Sequence, residues 1–291
     1  MDWVIKDLYK DELRSNFLVT ADRKKVWQAE LNILRELDRI CRKHGIRYFA
    51  DYGTLLGAVR HQGFIPWDDD VDIYMKYDDL KRFKKICKKE LSEKYFYQDH
   101  QTDMASHWIF AKIRANGTSM SEQYGKDGMH ADYHEGVWID IFPLIEAADT
   151  PGKLEKQLTS IFEYQHFLYE SWPIKKEMSI PAKLITLKGN MISKWRCYCH
   201  KKRFERLQSQ SSDFLIVMAN SYYAENSEAG RKKALTDIVY KNELVSSKYL
   251  FEGSLFSGFG DYNAYLSRLY GKDYMTPKQW AHLPDYDHVI L

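Results

Sequence analysis

Cysteine and proline are scarce here, with four and seven among 291 residues. Four cysteines make no disulfide framework in a chain of this length. Cys41 and Cys87 fall on apolar helical positions and read as reduced core residues. Cys197, Cys199 and His200 hint at a metal site, but no second pair stands at zinc spacing. No apolar run is long and uncharged enough to span a bilayer. The first fourteen residues mix charges into their apolar positions, unlike a signal peptide. A dominant charge is also missing. Lys and Arg number 43 and Asp and Glu 41, a net charge of +2 that argues neither for nor against nucleic acid. No nucleic acid is expected as a partner, and there are no repeats or low-complexity tracts. What remains is the composition of a soluble globular protein, 44% hydrophobic and 29% charged. The expected compartment is the cytoplasm.

Against this even background one stretch is uneven. Between Ile46 and Met75 the chain runs through a short apolar strand, a Gly53-Thr54 step, a small-residue helix, and then W-D-D-D-V-D-I. Asp68, Asp69, Asp70 and Asp72 crowd around one valine. Ionised carboxylates so close repel one another and disfavour folding unless a cation or basic partner offsets them. Val71, Ile73 and Met75 alternate with Asp70, Asp72 and Tyr74, which predicts a strand with both aspartates on one face. Two carboxylates aimed at one point suit a hard divalent cation, Mg²⁺ or Mn²⁺.

The flanking elements follow from spacing. Thr20 or Asp22 can cap a helix running to about His44, with Gly45 as its stop. A strand over Ile46 to Asp51 follows, then a helix over Leu55 to Arg60. The amides at that helix start offer an anion site, and Thr54 adds a hydroxyl. A helix over Asp78 to Leu91 carries a basic outer face, read as solvated. Tyr95 to Gln98 and Trp108 to Ala115 read as strands. On the second, Lys112 and Arg114 share a face, as cations meeting phosphate would, or as exposed strand charge. Gly117 to Gly136 reads as a loop that could cover a site. In V-W-I-D-I-F-P a single Asp140 lies inside an apolar run. A buried carboxylate has a partner, so Asp140 either meets a nearby Arg or backbone amide or joins Asp70 and Asp72 as a third carboxylate. The latter is the reading taken here.

Thr150-Pro151-Gly152 is the best domain boundary, dividing a catalytic core (1–150) from a mostly helical part (151–291). Helices are expected over Lys153 to Tyr169, Asp213 to Glu225 and Asp261 to Tyr270. The segment Ile174 to Leu207 is basic and studded with apolar residues, Trp195 among them. It reads either as a surface for anionic lipid or as an ordinary helical subdomain with basic outer faces.

The Gly-Thr helix start, the D-x-D strand and the later apolar-flanked Asp together resemble the nucleotidyltransferase fold of the polymerase-β type. Three carboxylates can hold two metal ions, one polarising a phosphoryl group and one activating a hydroxyl. The sequence more closely resembles the LicD/fukutin-type phosphotransferase family. The carrying blocks are G-T-L-L-G-A-V-R (Gly53 to Arg60), G-F-I-P-W-D-D-D-V-D-I (Gly63 to Ile73), A-K-I-R-A-N-G-T (Ala111 to Thr118), G-V-W-I-D-I-F-P-L (Gly136 to Leu144) and Y-L-S-R-L-Y-G-K-D-Y-M-T-P (Tyr265 to Pro277).

The resemblance implies a mixed α/β sheet flanked by helices. It also implies transfer of phosphocholine from CDP-choline to a sugar hydroxyl of a lipid-linked surface glycan: teichoic acid, capsule or lipopolysaccharide. Glycerol or ribitol phosphate from the CDP-polyol is the alternative. The eukaryotic relatives' anchors and stems are not seen, so the short bacterial type is expected, on the cytoplasmic side, either free or peripheral on the inner membrane face. Asp70, Asp72 and Asp140 would hold Mg²⁺ or Mn²⁺ with Asp68 as helper. Gly53, Thr54, Lys112 and Arg114 would meet the donor phosphates, with Arg60 a lesser candidate. Tyr97, Trp108, Tyr124, Tyr133 and Trp138 could cage a quaternary ammonium. True nucleotidyl transfer, a D-x-D glycosyltransferase and a non-catalytic binding module are the competing classes.

Overall fold

The computed structural model describes residues 4–106, 108–120, 133–170, 178–218 and 228–278. A small hairpin, β1 (Glu12–Arg14) and β2 (Phe17–Val19), leads into helix α1 (Ala21–His44). Thr20 caps α1, accepting the Arg23 N–H at 3.2 Å. Gly45 ends it in the left-handed region at φ 62°, where a side chain would be strained. Both ends are where the sequence put them. Strand β3 (Tyr48–Ala50), helix α2 (Tyr52–His61), strand β4 (Asp72–Lys76) and helix α3 (Tyr77–Glu90) follow. Then come β5 (Tyr95–Gln98), β6 (Ala111–Ala115) and the long β7 (Trp138–Glu146).

Beyond Pro151 the chain is rich in helix: α4 (Pro151–Tyr169), α5 (Ile180–Arg206), α6 (Glu228–Thr236) and α7 (Tyr262–Tyr270). It also supplies strands β8 (Phe214–Val217), β9 (Ile238–Tyr240), β10 (Ser246–Phe251) and β11 (Ser254–Phe259). The helix expected over Asp213 to Glu225 is therefore corrected. Its first residues form β8, because F-L-I-V, with an aromatic and two β-branched residues, favours a strand that pairs along the edge of β7. Residues 219–225 lie outside the described residues.

Among the described residues nine strands form one mixed sheet. Its main path is β10-β11-β3-β4-β7-β6-β5, with β8 and β9 branching from β7. β7 is central. One edge runs parallel to β4; along the other, β6 pairs with its first half and β8 with its second. Ile73, Met75, Ile113, Ile139 and Ile141 face α1 and α3. Tyr74, Phe142, Leu144, Leu215 and Val217 line the opposite core with α4 and α7. Each such fully buried side chain contributes roughly 1.5–3 kcal/mol of transfer free energy. The alternation of these strands is what turns Asp72 and Asp140 to one face, away from α1.

Helix α2 lies close against the turn that precedes the aspartates. A Cβ on Gly57 would collide with the Gly63 carbonyl oxygen. Gly57→Ala is expected to destabilise the fold by about 1–3 kcal/mol through overpacking. A urea midpoint equal to wild type would show that the turn can retreat.

Candidate active site

The strand register brings three functional side chains abreast. Asp72 on β4 pairs with Asp140 on β7, and Asp140 pairs with Lys112 on β6. Lys112 Nζ lies 2.8 Å from Asp140 Oδ1, and both side chains are largely buried. Asp72 is buried and anchored at its backbone. Its N–H donates to Thr54 Oγ1 at 2.8 Å, and its carbonyl accepts from Asp51 N–H at 3.0 Å. β4 begins at Asp72, so Asp70 precedes the strand rather than alternating along it. From α1, Arg23 Nη1 and Trp27 Nε1 both donate to the Asp68 carbonyl, at 3.0 and 2.9 Å. That clamp fixes Asp68 where the chain leaves the turn at Pro66 and Trp67.

The carboxylates are strongly perturbed. Burial pushes Asp72 well above its ordinary range, and repulsion from Asp70, Asp140, Asp51 and Asp68 adds to it. Burial likewise raises Asp69 and Asp70, each to about 6. Asp68 is raised well above its ordinary range by burial and by repulsion from Asp70 and Asp69. Glu30, one turn beyond Trp27 on α1, faces the same cluster. It is buried, its pKa is raised by desolvation and by the aspartates, and its Oε2 accepts no hydrogen bond among the described residues.

These features bear on the expected cation. The donor set is all oxygen, desolvated and mutually repulsive, which is the chemistry of a hard divalent ion. Among the described residues, however, no group of three or more His, Cys, Asp or Glu side chains is placed to hold a metal ion. Lys112 brings one positive charge to this cluster, at Asp140. The residues suit the ion by chemistry, with Asp72 and Asp140 as the aligned pair.

The remaining predicted residues fall as follows. Gly53 and Thr54 sit in the first turn of α2, where helix amides lack intrahelical partners. That helix starts earlier than Leu55 because Asp51 serves as its N-cap. A Cβ on Gly53 would collide with the Asp68 carboxylate, so glycine is needed for that close approach. Arg60 donates to the Tyr274 carbonyl at 2.8 Å and lies within electrostatic range of Asp68. Arg114 is fully buried and donates to Gln98 Oε1 at 2.5 Å and the Gly136 carbonyl at 2.9 Å. These bonds tie β5 and the start of β7 to β6.

The aromatic cage is present in part, around a protein cation. Lys112 Nζ lies 5.0, 5.3 and 4.5 Å from the ring centroids of Trp108, Phe110 and Trp138. Arg114 sits over Tyr133 and Trp138. Tyr97 does not join them; it packs with Phe83 and Lys84 on the other face. Tyr124 lies outside the described residues.

Sequence reasoning missed the floor of the site. Asp51 is fully buried beneath α2 and accepts from the Tyr265 hydroxyl of α7, while Tyr52 and Tyr74 donate to Asp237. Burial and Asp237 push the Asp51 pKa well up. Arg23, Trp27 and Glu30 were also missed, although their i, i+4, i+7 spacing places them on one helix face. The larger surface cavity, about 590 Å³, opens three residues farther along the strands, at Ile109 and Pro143, under Tyr77, Lys84, Lys85 and Lys201.

Comparison with known proteins adds a family signal. The profile described as LicD/FKTN/FKRP, nucleotidyltransferase domain, matches residues 45–193, just over half of the chain. The lipopolysaccharide cholinephosphotransferase LicD of Haemophilus influenzae is 26% identical over 253 residues, 84% of this chain and 88% of that protein. Ribitol 5-phosphate transferase FKRP of mouse and human is 43% identical over 60 residues, 19% of this chain and 12% of that protein.

Two expectations follow from the geometry. Thr54→Val removes the acceptor of a buried N–H, so stability is expected to fall by about 1–3 kcal/mol in urea unfolding. An unchanged value would mean that Asp72 is held from elsewhere. Glu30, raised above its ordinary 4.5, favours the fold most below that pH and costs stability as pH rises toward its folded value. With chelator present, Glu30→Gln is expected to flatten the loss of stability from pH 4.5 upward. Parallel pH profiles for wild type and variant would refute this.

Proposed function

Because the chain belongs to the LicD/FKTN/FKRP nucleotidyltransferase-domain family, we propose that it transfers phosphocholine from CDP-choline to a sugar hydroxyl of a lipid-linked surface glycan, releasing CMP. The observation that carries this reading is the Asp72–Asp140–Lys112 row across three adjacent strands. The cholinephosphotransferase relative supplies the choline.

The acceptor oxygen attacks the choline-bearing phosphorus. An oxygen–phosphorus bond forms, the diphosphate bond breaks, and CMP leaves with the bridging oxygen. The hydroxyl proton passes to a carboxylate of this cluster, where Asp70, raised by burial to about 6, suits a base near neutrality. Mg²⁺ or Mn²⁺, held by Asp70, Asp72 and Asp140 with Asp68 as helper, would offset charge on the diphosphate and activate the hydroxyl. Lys112 is the protein cation nearest this chemistry, and the first-turn amides of Gly53 and Thr54 offer donors to phosphate oxygen. Arg114 supports the row from within the sheet. Trp108, Phe110 and Trp138 surround Lys112 Nζ beside Asp140, and a trimethylammonium group would need rings and a carboxylate of the same kind close by.

Asp72→Asn and Asp140→Asn are expected to lower CMP release by at least about a hundredfold, as loss of a general base does, with melting curves still cooperative. Chelation is expected to stop turnover and Mg²⁺ or Mn²⁺ to restore it. Near-normal turnover in either variant sinks the assignment of the row.

CDP-choline, CDP-glycerol and CDP-ribitol under one set of conditions test the donor. A cage worth about 2 kcal/mol favours choline by roughly thirtyfold. Trp138→Leu is expected to remove that preference. An equal loss on all three donors would assign the rings to Lys112 alone, and a polyol preference would replace choline.

A further inference from the structure

Helix α5 anchors Phe204 in the core near its C-terminal end, but over its earlier turns it buries Asn190, Ser193 and Cys197 while large apolar side chains face solvent. Ile180, Leu184, Leu187, Met191, Trp195 and Tyr198 follow one another at spacings of four, three, four, four and three. That spacing draws one straight stripe along a helix. Ile180 is 75% exposed and Trp195 66% exposed, and Ile185 and Ile192 widen the stripe on one side. The eighteen helical steps from Ile180 to Tyr198 make it ~27 Å long. Scattered exposed apolar residues are ordinary, but an aligned set of this size marks an interaction surface.

Charge decides what the surface fits. Within α5 eight Lys and Arg residues stand against Glu205 alone. Lys188, Lys194 and Lys202 border the stripe. A second copy docked stripe to stripe would bring these like charges together, which disfavours that pairing. Trp195 and Tyr198 carry rings suited to the headgroup level of a membrane, and the lysines can meet anionic headgroups from either side. No described helix is long and apolar enough to cross a membrane. We propose that α5 lies flat on an anionic lipid surface, with its apolar stripe sunk into the headgroup–acyl boundary. The surface is independent of the chemistry at the carboxylate row.

The test is flotation of the full chain with phosphatidylcholine vesicles, with and without phosphatidylglycerol. The chain is expected to float with the anionic vesicles and to be released by salt. Leu184→Gln/Met191→Gln/Trp195→Gln is expected to abolish flotation, and Lys188→Gln/Lys194→Gln to weaken it by about fivefold per lysine. These are exposed positions, so melting curves should match wild type. A blue shift of tryptophan emission on vesicles, lost in Trp195→Phe, reads insertion directly. CMP release in the triple variant separates failure of this surface from failure of the row. No flotation, flotation equally strong in the triple variant, or a dimer that the triple variant dissolves would each overturn the proposal.

Discussion

Everything near the site answers to the crowding of carboxylates in a space that water hardly enters. Asp68, Asp70, Asp72 and Asp140 come from one turn and two adjacent strands, with Glu30 and Asp51 close behind. At low effective dielectric such a group cannot remain fully ionised without cations nearby. The fold supplies one through Lys112, and it supplies backbone donors and Arg23 around the turn. The rest of the load falls on carboxyls whose pKa values burial and mutual repulsion raise.

That load constrains the scaffold. The row needs β4 and β7 parallel and in register, since a one-residue slip would send Asp140 to the α1 side and Ile139 or Ile141 into the site. Burial of Ile73, Ile139 and Ile141 against α1 sets the register. Thr54 fixes Asp72, and Trp27 fixes the turn before it. The apolar core and the polar site are thus two faces of the same strands.

Much of this was legible locally. Helix α1 declared its ends through Thr20 and Gly45, and Asp140 announced itself as a lone charge in an apolar run. The D-x-D alternation found the right face for Asp72, while β4 begins only there and Asp70 lies just before it, after an Asp68 held by two side chains more than forty residues earlier. Lys112 and Arg114 share a face as expected. Only the fold reveals that one meets Asp140 while the other braces Gln98 and Gly136. Strands β8 to β11 were the largest omission. They are short, and each is stabilised by neighbours distant in sequence, which periodicity within a window does not register. Glu30 was hidden for the opposite reason: on a long amphipathic helix a single inward carboxylate looks like one more surface charge.

The contacts of α7 carry a consequence in time. Tyr265 closes on Asp51 and Tyr274 receives Arg60, each across 214 positions of chain. Contacts of such separation are slow to form, because the intervening loop must be closed first. During synthesis the aspartate turn and its strands leave the ribosome well before residue 265 exists. For that interval Asp51 lacks its tyrosine. A nascent chain therefore holds an unfinished, highly charged half-site, and a segment made late is the one that seals it.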